Sequence, residues 1–228
     1  SNTKKGLFSS MYQFVRSYTL KKKFELIKGY NRSGNILDIG CATGEFLNVF
    51  KLAKWDTEGI EPDIDARKMA EENYDLKVGE ESEIQNIDDE SKDVITMWHV
   101  LEHVPDLNQR MVDLHRMIKQ DGTIFIAVPN YKSYDAEVYG KHWAAYDVPR
   151  HLYHFSPESM TKLLVKHNLF LQETIPMKFD SFYVSLLSEE YKNGKKSFPK
   201  AFSKGLKSNW KAAGTGNYSS LIYVIKKS

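Results

Sequence analysis

The sequence predicts one α/β domain built on a mostly parallel sheet, with helices on both faces. Apolar runs of strand length alternate along the chain with stretches in which apolar residues recur at helical spacing. The first run ends in a loop of small residues, 40–44, that leads directly into a helix, as parallel strands joined by crossover helices require. A chain of 228 residues is also long enough for one sizeable core.

The first 34 residues predict a helical cover that precedes the first strand. Apolar residues recur at helical spacing through residues 7–30, with an interruption near Lys21–Lys23. Gly29 and the polar residues 31–34 should end the region. We expect this segment either to lie over the ligand-binding edge of the sheet or to serve packing alone. Its first apolar positions are Leu7, Phe8, Met11 and Tyr12.

The most informative stretch is residues 35–46, which reads NILDIGCATGEF. It predicts a strand that carries one acid, Asp38, then a tight turn, then a helix that begins at Glu45. Such a turn lets the backbone approach a ligand closely and directs free helix N–H groups at it. A dinucleotide fingerprint would need glycine at Ala42 and Glu45, and a phosphate-binding loop would need a lysine after Gly44. With both motifs excluded, residues 38–44 keep the pattern acid-x-Gly-x-small-x-Gly. The alternative to a ligand-binding loop is an ordinary tight turn between a strand and a helix.

Strand and helix signals continue in order through the rest of the chain. Asp63 should cap the helix after the second strand, Asp106 and Gln109 should form a capping box, and Ser156 should begin a later helix. Asp121 and Gly122 should turn the chain into the fifth strand. The further predicted strands are Asp56–Ile60, Leu76–Val78, Asp93–Trp98, Thr123–Val128, Phe170–Ile175 and a buried antiparallel Leu221–Ile225, and the late helices lie near Phe182–Lys192 and Pro199–Ala212.

Composition narrows the classes of function. A net charge of +2 is too small to argue for nucleic acid. Seven lysines lie between Lys192 and Lys211, which indicates a solvated helical face or, as the alternative, an anionic partner. Cys41 is the only cysteine, so no internal disulfide can form and a reducing compartment is expected. The sequence has no long apolar run and no signal-peptide pattern, so we expect a soluble cytoplasmic protein without membrane insertion.

Three motifs resemble those of one family. The turn at residues 38–44 closely resembles motif I of the class I S-adenosylmethionine-dependent methyltransferases. The stretch DVITMWHVLEHVPD, residues 93–106, looks like the strand-four signature of ubiquinone-type O-methyltransferases, and DVPRHLYHF, residues 147–155, resembles a more weakly defined family segment. The resemblance implies a Rossmann-like, seven-stranded, mostly parallel sheet with an antiparallel last strand. Residues 35–228 would form the methyltransferase domain, with a helical insertion at 180–215 where relatives have a short hairpin.

The resemblance also assigns the binding of S-adenosylmethionine, with S-adenosylhomocysteine as the product. Glu61, which ends the second strand, would hold the ribose hydroxyls, and Glu80 or Glu81 would meet the adenine amino group. Many relatives have glycine at Ala42, and the alanine methyl would be tolerated if the local φ is negative. The methionyl pocket and sulfonium border would comprise Asp38, Gly40, Cys41, Ala42, Gly44, Pro62, Trp98 and His99.

Residues 131–155 are rich in aromatic residues and histidines, and they form a longer connection than the fold needs. We therefore expect a lid or substrate wall there. The predicted substrate contacts are Asn130, Trp143, Tyr146 and Arg150. His151 is predicted to be a general base or a substrate-positioning group, while His103 is predicted to be catalytic or to pin its loop.

The expected reaction is direct in-line methyl transfer to a small-molecule oxygen, with a sugar or another envelope-building intermediate as one such acceptor.

No metal is expected, because the chain has no cysteine cluster and His151 and His154 lack a spaced acidic partner. The absence of an Asn/Asp-Pro-Pro-Tyr/Phe motif after strand four argues against amino methylation of nucleic acids. The alternatives are a cofactor-binding protein without turnover and an enzyme acting on basic proteins or nucleic acids. The insertion at 180–215 could cap the substrate side or form an oligomer contact.

Overall fold

The N-terminal region of the computed structural model is one continuous helix, α1 (Asn2–Lys28). The structure describes residues 2–228, and their side chains from Val15 onward. The predicted apolar positions at residues 7–12 therefore lie outside the described side chains. The predicted interruption at Lys21–Lys23 is wrong, because lysine is a good helix former and three in succession do not break a helix. The helix ends at Gly29, as expected, where the Gly29 N–H donates to the Glu25 carbonyl.

Seven strands form one sheet in the order β3-β2-β1-β4-β5-β7-β6. Strands β1 to β5 are parallel, whereas β7 lies between β5 and β6 and is antiparallel to both. This arrangement confirms the predicted fold class. The strands are β1 (Asn35–Ile39), β2 (Asp56–Ile60), β3 (Lys77–Gly79), β4 (Lys92–Trp98), β5 (Ile118–Pro129), β6 (Leu169–Pro176) and β7 (Ser220–Lys227).

The remaining helices follow their predicted N-terminal signals closely. The Asp63 carboxylate accepts from two backbone N–H groups of α3, and Ser156 forms a capping box on α6. The capping box predicted at Asp106 is only half formed, because the Gln109 side chain donates to Asp113 instead. These helices are α2 (Glu45–Leu52), α3 (Ile64–Tyr74), α4 (Leu107–Met117), α5 (Tyr134–Tyr139), α6 (Pro157–Lys166), α7 (Asp180–Asn193) and α8 (Phe198–Thr215).

Strand β5 begins earlier than predicted. It starts at Ile118, directly after α4, and its register with β4 shifts between Lys92 and Val94. Asp121 and Gly122 therefore lie in a bulge of the strand and not in a turn before it. A Cβ atom at Gly122 would come within 2.6 Å of the Ile118 side chain, so a larger residue in the bulge would displace Ile118.

The core lies on both faces of the sheet, because successive strand residues point to opposite sides. Ile36 and Val94 are buried on the face that α1 and α2 cover, where Phe50 packs against them. Leu37 and Ile95 are buried on the opposite face with residues of α4 and α6. Within the described part of the chain, no helix combines the length and the apolar character needed to cross a membrane.

A third, smaller core joins the predicted lid to the helical insertion. Trp143 is almost fully buried among residues of α5 and α7. Its indole Nε1 donates to the buried Asp135 carboxylate at 2.8 Å, which also accepts from Ser208 of α8 at 2.6 Å and from Ser219 at 2.7 Å. One carboxylate thus connects α5, α8 and the residue before β7.

Candidate active site

The turn after β1 has the left-handed backbone that a closely approached loop needs. Gly40 and Gly44 have φ values of 77° and 83°, and Ala42 has a φ of 48°. The negative φ expected for Ala42 is therefore not observed. A residue with a Cβ atom in the left-handed region is less stable than in the right-handed region by about 1–2 kcal/mol. The Ala42 N–H donates to Glu61 Oε2 at 2.8 Å. This hydrogen bond ties the turn to the end of β2.

Glu61 lies beside the turn because Ile39 and Ile60 are paired in the parallel register of β1 and β2. Its second carboxylate oxygen accepts from the Asp63 N–H at 3.0 Å. The side chain is half-buried and reaches the surface of the same edge. Its proposed contact with a ribose stays a prediction.

Asp38 is buried in β1 and carries a strongly shifted pKa. Burial raises the pKa of its carboxyl to about 7, although the Thr96 hydroxyl that donates to it and the charge of Lys23 lower it. The charge of Glu61 adds to the upward shift. Asp38 therefore gains and loses its proton near neutral pH.

Lys23 of α1 is a member of this site that the sequence did not indicate. Its ammonium lies 3.9 Å from the centroid of the Trp98 ring, at the end of β4. Burial lowers the pKa of Lys23 to about 8, while the charges of Asp38 and Asp180 oppose that shift. The helical cover thus contributes a titrating cation to the edge where the predicted cofactor residues converge.

His99 is held between two carboxylates. Its Nε2 lies 3.1 Å from Asp180 Oδ2, and its Nδ1 lies 3.4 Å from Glu102 Oε1. Burial alone would lower the pKa of His99, but the neighbouring carboxylates of Asp180 and Glu102 raise it to about 10. His99 is therefore protonated at neutral pH and cannot serve as a base there.

Glu102, His103 and His151 form a cluster at the carboxyl end of β4. One carboxylate oxygen and one ring nitrogen from each histidine lie within 4.8 Å of one another. The His151 Nδ1 donates to the Ala145 carbonyl at 2.8 Å, and the His103 Nδ1 donates to the Arg150 carbonyl at 3.0 Å. Burial lowers the pKa of His151, against the charge of Glu102. The expectation that His151 lacks an acidic partner is wrong, because Glu102 reaches it from a distant segment.

A cavity of about 380 Å³ opens beside this cluster. Arg150 lines it, together with residues of α7 such as Tyr183. Of the other predicted substrate residues, Trp143 is buried against Asp135, and the Asn130 amide donates to Asn217 and Tyr218. Neither belongs to the cavity wall. Tyr146 packs edge-on against Trp143 and His154.

The remaining predicted cofactor residues differ in their availability. Glu81 pairs with the buried Arg110, so its carboxylate is already engaged. Glu80 is exposed, forms a capping box with Glu83, and lies next to β3. Cys41 is buried, and burial raises the pKa of its thiol. Pro62 is exposed at the end of β2, next to Glu61.

The residues at this edge fit a cationic nucleoside. Asp38 and Glu61 offer carboxylates, and the buried indole Nε1 of Trp98 has no hydrogen-bond partner among the described residues. The turn exposes Ala42 at its tip. Two described cations lie near them, Lys23 and the protonated His99. The lowered pKa of Lys23 lets it become neutral more readily than an ordinary lysine, and the carboxylates of Asp180 and Glu102 balance the charge of His99.

Comparison with known protein sequences agrees with this geometry. A family model described as a methyltransferase domain matches residues 12–174. The ubiquinone biosynthesis O-methyltransferase of Hydrogenovibrio crunogenus is 26% identical over 175 residues, which cover 69% of this chain and 72% of that protein.

Solved structures share the fold. One is an S-adenosylmethionine-dependent methyltransferase from Thermotoga maritima, described as a possible histamine N-methyltransferase. It superposes on this chain with a TM-score of 0.62 at 16% sequence identity, and the match covers 96% of this chain and 94% of that one. Phosphoethanolamine N-methyltransferase 2 of Haemonchus contortus, in complex with S-adenosylmethionine, gives a TM-score of 0.61 at 13% identity, covering 91% and 52%. At these identities the likeness concerns the fold alone.

Proposed function

The chain belongs to the class I S-adenosylmethionine-dependent methyltransferases, and we propose that its acceptor is an oxygen atom of a small molecule. The observation that supports this most directly is the cavity of about 380 Å³ beside Glu102 and His151. Its size suits a small molecule. A hydroxyl acceptor has to lose a proton, and His151 offers a neutral imidazole for that purpose.

The cofactor would lie along the carboxyl ends of β1, β2 and β4. Asp38, Gly40, Cys41, Ala42 and Gly44 would shape the methionyl pocket. Glu61 and Pro62 would border the ribose, and Glu80 would approach the adenine, whereas the pairing of Glu81 with Arg110 makes it the weaker choice. Trp98 and His99 would border the sulfonium. Bound S-adenosylmethionine supplies an electrophilic methyl group.

The task of the chain is then to align the acceptor, exclude water and take up a proton. Because the His151 Nδ1 donates to the Ala145 carbonyl, the neutral ring carries its lone pair on Nε2. This nitrogen lies 4.0 Å from Glu102 Oε1 and 3.9 Å from Asp147 Oδ2, and both carboxylates would stabilise the protonated ring. His103 would hold the Arg150 backbone and so position the segment that bears His151.

The wall of the cavity supports an acceptor with several hydroxyl groups. It combines carboxylates with Arg150 and two tyrosines of α7, Tyr183 and Tyr191. Such a mixture of charged groups and aromatic rings suits a sugar or a similar hydroxyl-rich intermediate. The named O-methyltransferase relative supports oxygen as the accepting atom.

The helical insertion would serve as an oligomer contact. Phe202, Leu206 and Trp210 of α8 are exposed by 61%, 55% and 74%, an apolar exposure typical of an interaction surface. We place the protein in the cytoplasm, a proposal that rests on its single, buried cysteine.

The test is to incubate the full chain with S-adenosylmethionine labelled on the methyl group and a fractionated cell extract. We expect the label to appear in the small-molecule fraction as a base-stable methyl ether. His151→Ala should abolish labelling, and His154→Ala is the matched control on the same segment. Label found only in protein or nucleic acid, or on nitrogen, would overturn the proposal.

A further inference from the structure

A second cavity, larger than the one beside Glu102, lies between the helical cover and the edge of the sheet. Its volume is about 530 Å³, and its walls are formed by α1, the ends of β6 and β7, and the residues that lead into α7. We propose that this cavity binds a small apolar carboxylic acid, with the apolar body inside and the carboxylate beside a lysine ammonium. The proposal holds whatever the acceptor of the methyl group is.

The first support is the apolar wall of the cavity. Leu26 of α1, Ile175 of β6 and Ile222 of β7 line it as half-buried or buried side chains. Tyr18 and Phe179 are more exposed, and their rings meet edge-on with centroids 5.8 Å apart. Cavities of this size that combine hydrophobic and aromatic walls with a few polar groups are typical binding sites for small molecules.

The second support is the charge of the polar groups in the same wall. Three lysines line the cavity, and none of their ammonium groups forms an ion pair or donates a hydrogen bond to a residue that the structure describes. They are Lys22, Lys23 and Lys178. Of the two acids in the wall, Asp180 is already paired with His99, and Glu25 is exposed. The excess of positive charge favours an anionic ligand.

Lys23 is the lysine for which an anion matters most. Its ammonium lies against the Trp98 ring, away from any carboxylate oxygen within ion-pair distance among the described residues. Removing an ammonium from water is costly unless a hydrogen-bond acceptor replaces the water. Burial accordingly lowers the pKa of Lys23 to about 8, although the charges of Asp38 and Asp180 oppose this shift. A carboxylate bound in the cavity would supply the missing acceptor.

The cavity is separate from both sites described above. Its wall does not include the turn at residues 40–44 or Glu61, so a ligand here would leave the predicted ribose and methionyl contacts free. Of the described residues, Asp180 is common to this wall and to that of the 380 Å³ cavity. The two cavities therefore meet at the carboxylate that holds His99.

Calorimetric titration of the full chain with straight-chain carboxylates, from butanoate to decanoate, tests the proposal. Saturating S-adenosylhomocysteine is present, so that the cofactor site is filled. We expect one octanoate per chain, with a dissociation constant below about 100 µM. Affinity should rise about fourfold with each added methylene group, because each one is removed from water. Octan-1-ol, which has the same length but no charge, should bind more weakly by about fivefold or more.

Variants show whether octanoate occupies this cavity. Thr19 of α1 lines it, so Thr19→Trp should fill part of the space and weaken octanoate binding by about tenfold or more. Lys23→Met should weaken octanoate binding by about threefold or more and leave the binding of octan-1-ol unchanged. Lys21→Met, an exposed position on the same helix outside the wall, is the matched control and should bind octanoate like the wild type.

Four results would overturn the proposal. Octanoate does not bind, or its affinity does not depend on chain length. Thr19→Trp and Lys23→Met both bind it as the wild type does. Saturating S-adenosylhomocysteine abolishes binding, which would assign the cavity to the cofactor. Sedimentation shows a dimer of the wild type that Thr19→Trp disrupts, which would make the cavity a contact between copies of the chain.

Discussion

The ammonium of Lys23 lies 3.9 Å from the centroid of the Trp98 ring, so the helical cover places a cation at the end of β4. Residues at this end are predicted to border the sulfonium of the cofactor. The side chain is flanked by Asp38 and Asp180, whose charges favour its protonated form. The cover therefore takes part in the electrostatics of the site.

Lys23→Met should change the discrimination between cofactor and product. Methionine keeps much of the aliphatic length but removes the charge, which would otherwise repel the positive sulfonium of S-adenosylmethionine. We expect the affinity for S-adenosylmethionine relative to the neutral sulfur of S-adenosylhomocysteine to rise by about threefold or more. Calorimetry with both ligands measures this ratio, and Lys22→Met is the exposed control. An unchanged ratio would contradict the placement.

Asp38 makes the unfolding free energy depend on pH. Its folded-state pKa, about 7, is above its usual 3.8, so the folded protein binds this proton more tightly than the unfolded chain. The contribution of Asp38 to stability is therefore greatest below pH 4 and is lost as the pH rises to about 7. Asp38→Asn should flatten this fall between pH 5 and pH 7 in urea titrations while weakening the binding of S-adenosylmethionine. An identical slope in both proteins would rule out the assignment.

Glu61→Ala should weaken the binding of S-adenosylmethionine by at least tenfold. Two hydrogen bonds to a carboxylate are worth about 1.5–3 kcal/mol each, and the variant also loses the bonds from the Ala42 and Asp63 N–H groups. Calorimetric titration gives the affinity, and Glu72→Ala on the exposed face of α3 serves as the control. If binding is unchanged, Glu61 does not hold the ribose.

His151→Ala should separate turnover from cofactor binding. Loss of a general base costs about 10²–10⁴-fold in rate, whereas the residues proposed to bind the cofactor are different ones. We expect a large fall in turnover with a nearly constant affinity for S-adenosylmethionine. His154→Ala should retain activity. Equal losses of turnover and affinity in His151→Ala would assign the residue to structure.

Asp135→Ala should destabilise the protein strongly. The carboxylate is fully buried and accepts from Trp143, Ser208 and Ser219. Its removal leaves three donors unpaired, which we expect to lower the free energy of unfolding by about 3–5 kcal/mol. Urea unfolding measures this change, and Glu137→Ala, an exposed acid on the same helix, is the control. A loss below about 1 kcal/mol would mean that the network is not structural.

Local signals were sufficient to predict the sheet and part of the site. The turn at residues 40–44 and the acid at Glu61 are set by strand length and register, so their neighbourhood follows from sequence spacing. The capping residues Asp63 and Ser156 likewise act on their own helices. Each of these relationships involves residues of one helix or of neighbouring parallel strands.

The remaining contacts could not be predicted, because they depend on packing between distant segments. Lys23 meets Trp98 only after α1 covers the sheet, and His99 meets Asp180 only after the insertion folds back. The pairing of Glu102 with His151 has the same origin. The sequence predicts that Trp143 contacts the substrate, but its side chain is buried in the core. Aromatic residues occur both in binding walls and in cores, and the sequence does not show which of them are buried.

The position of β7 between β5 and β6 has a consequence for how the protein acquires its shape. The strand β7 follows α7 and α8 in the chain and has to enter between β5 and the edge strand β6. Its pairing with β5 therefore closes a long loop of chain. Until then β5 and β6 present unpaired backbone to other molecules. We expect slow refolding and a window of self-association that dilution or a chaperone shortens.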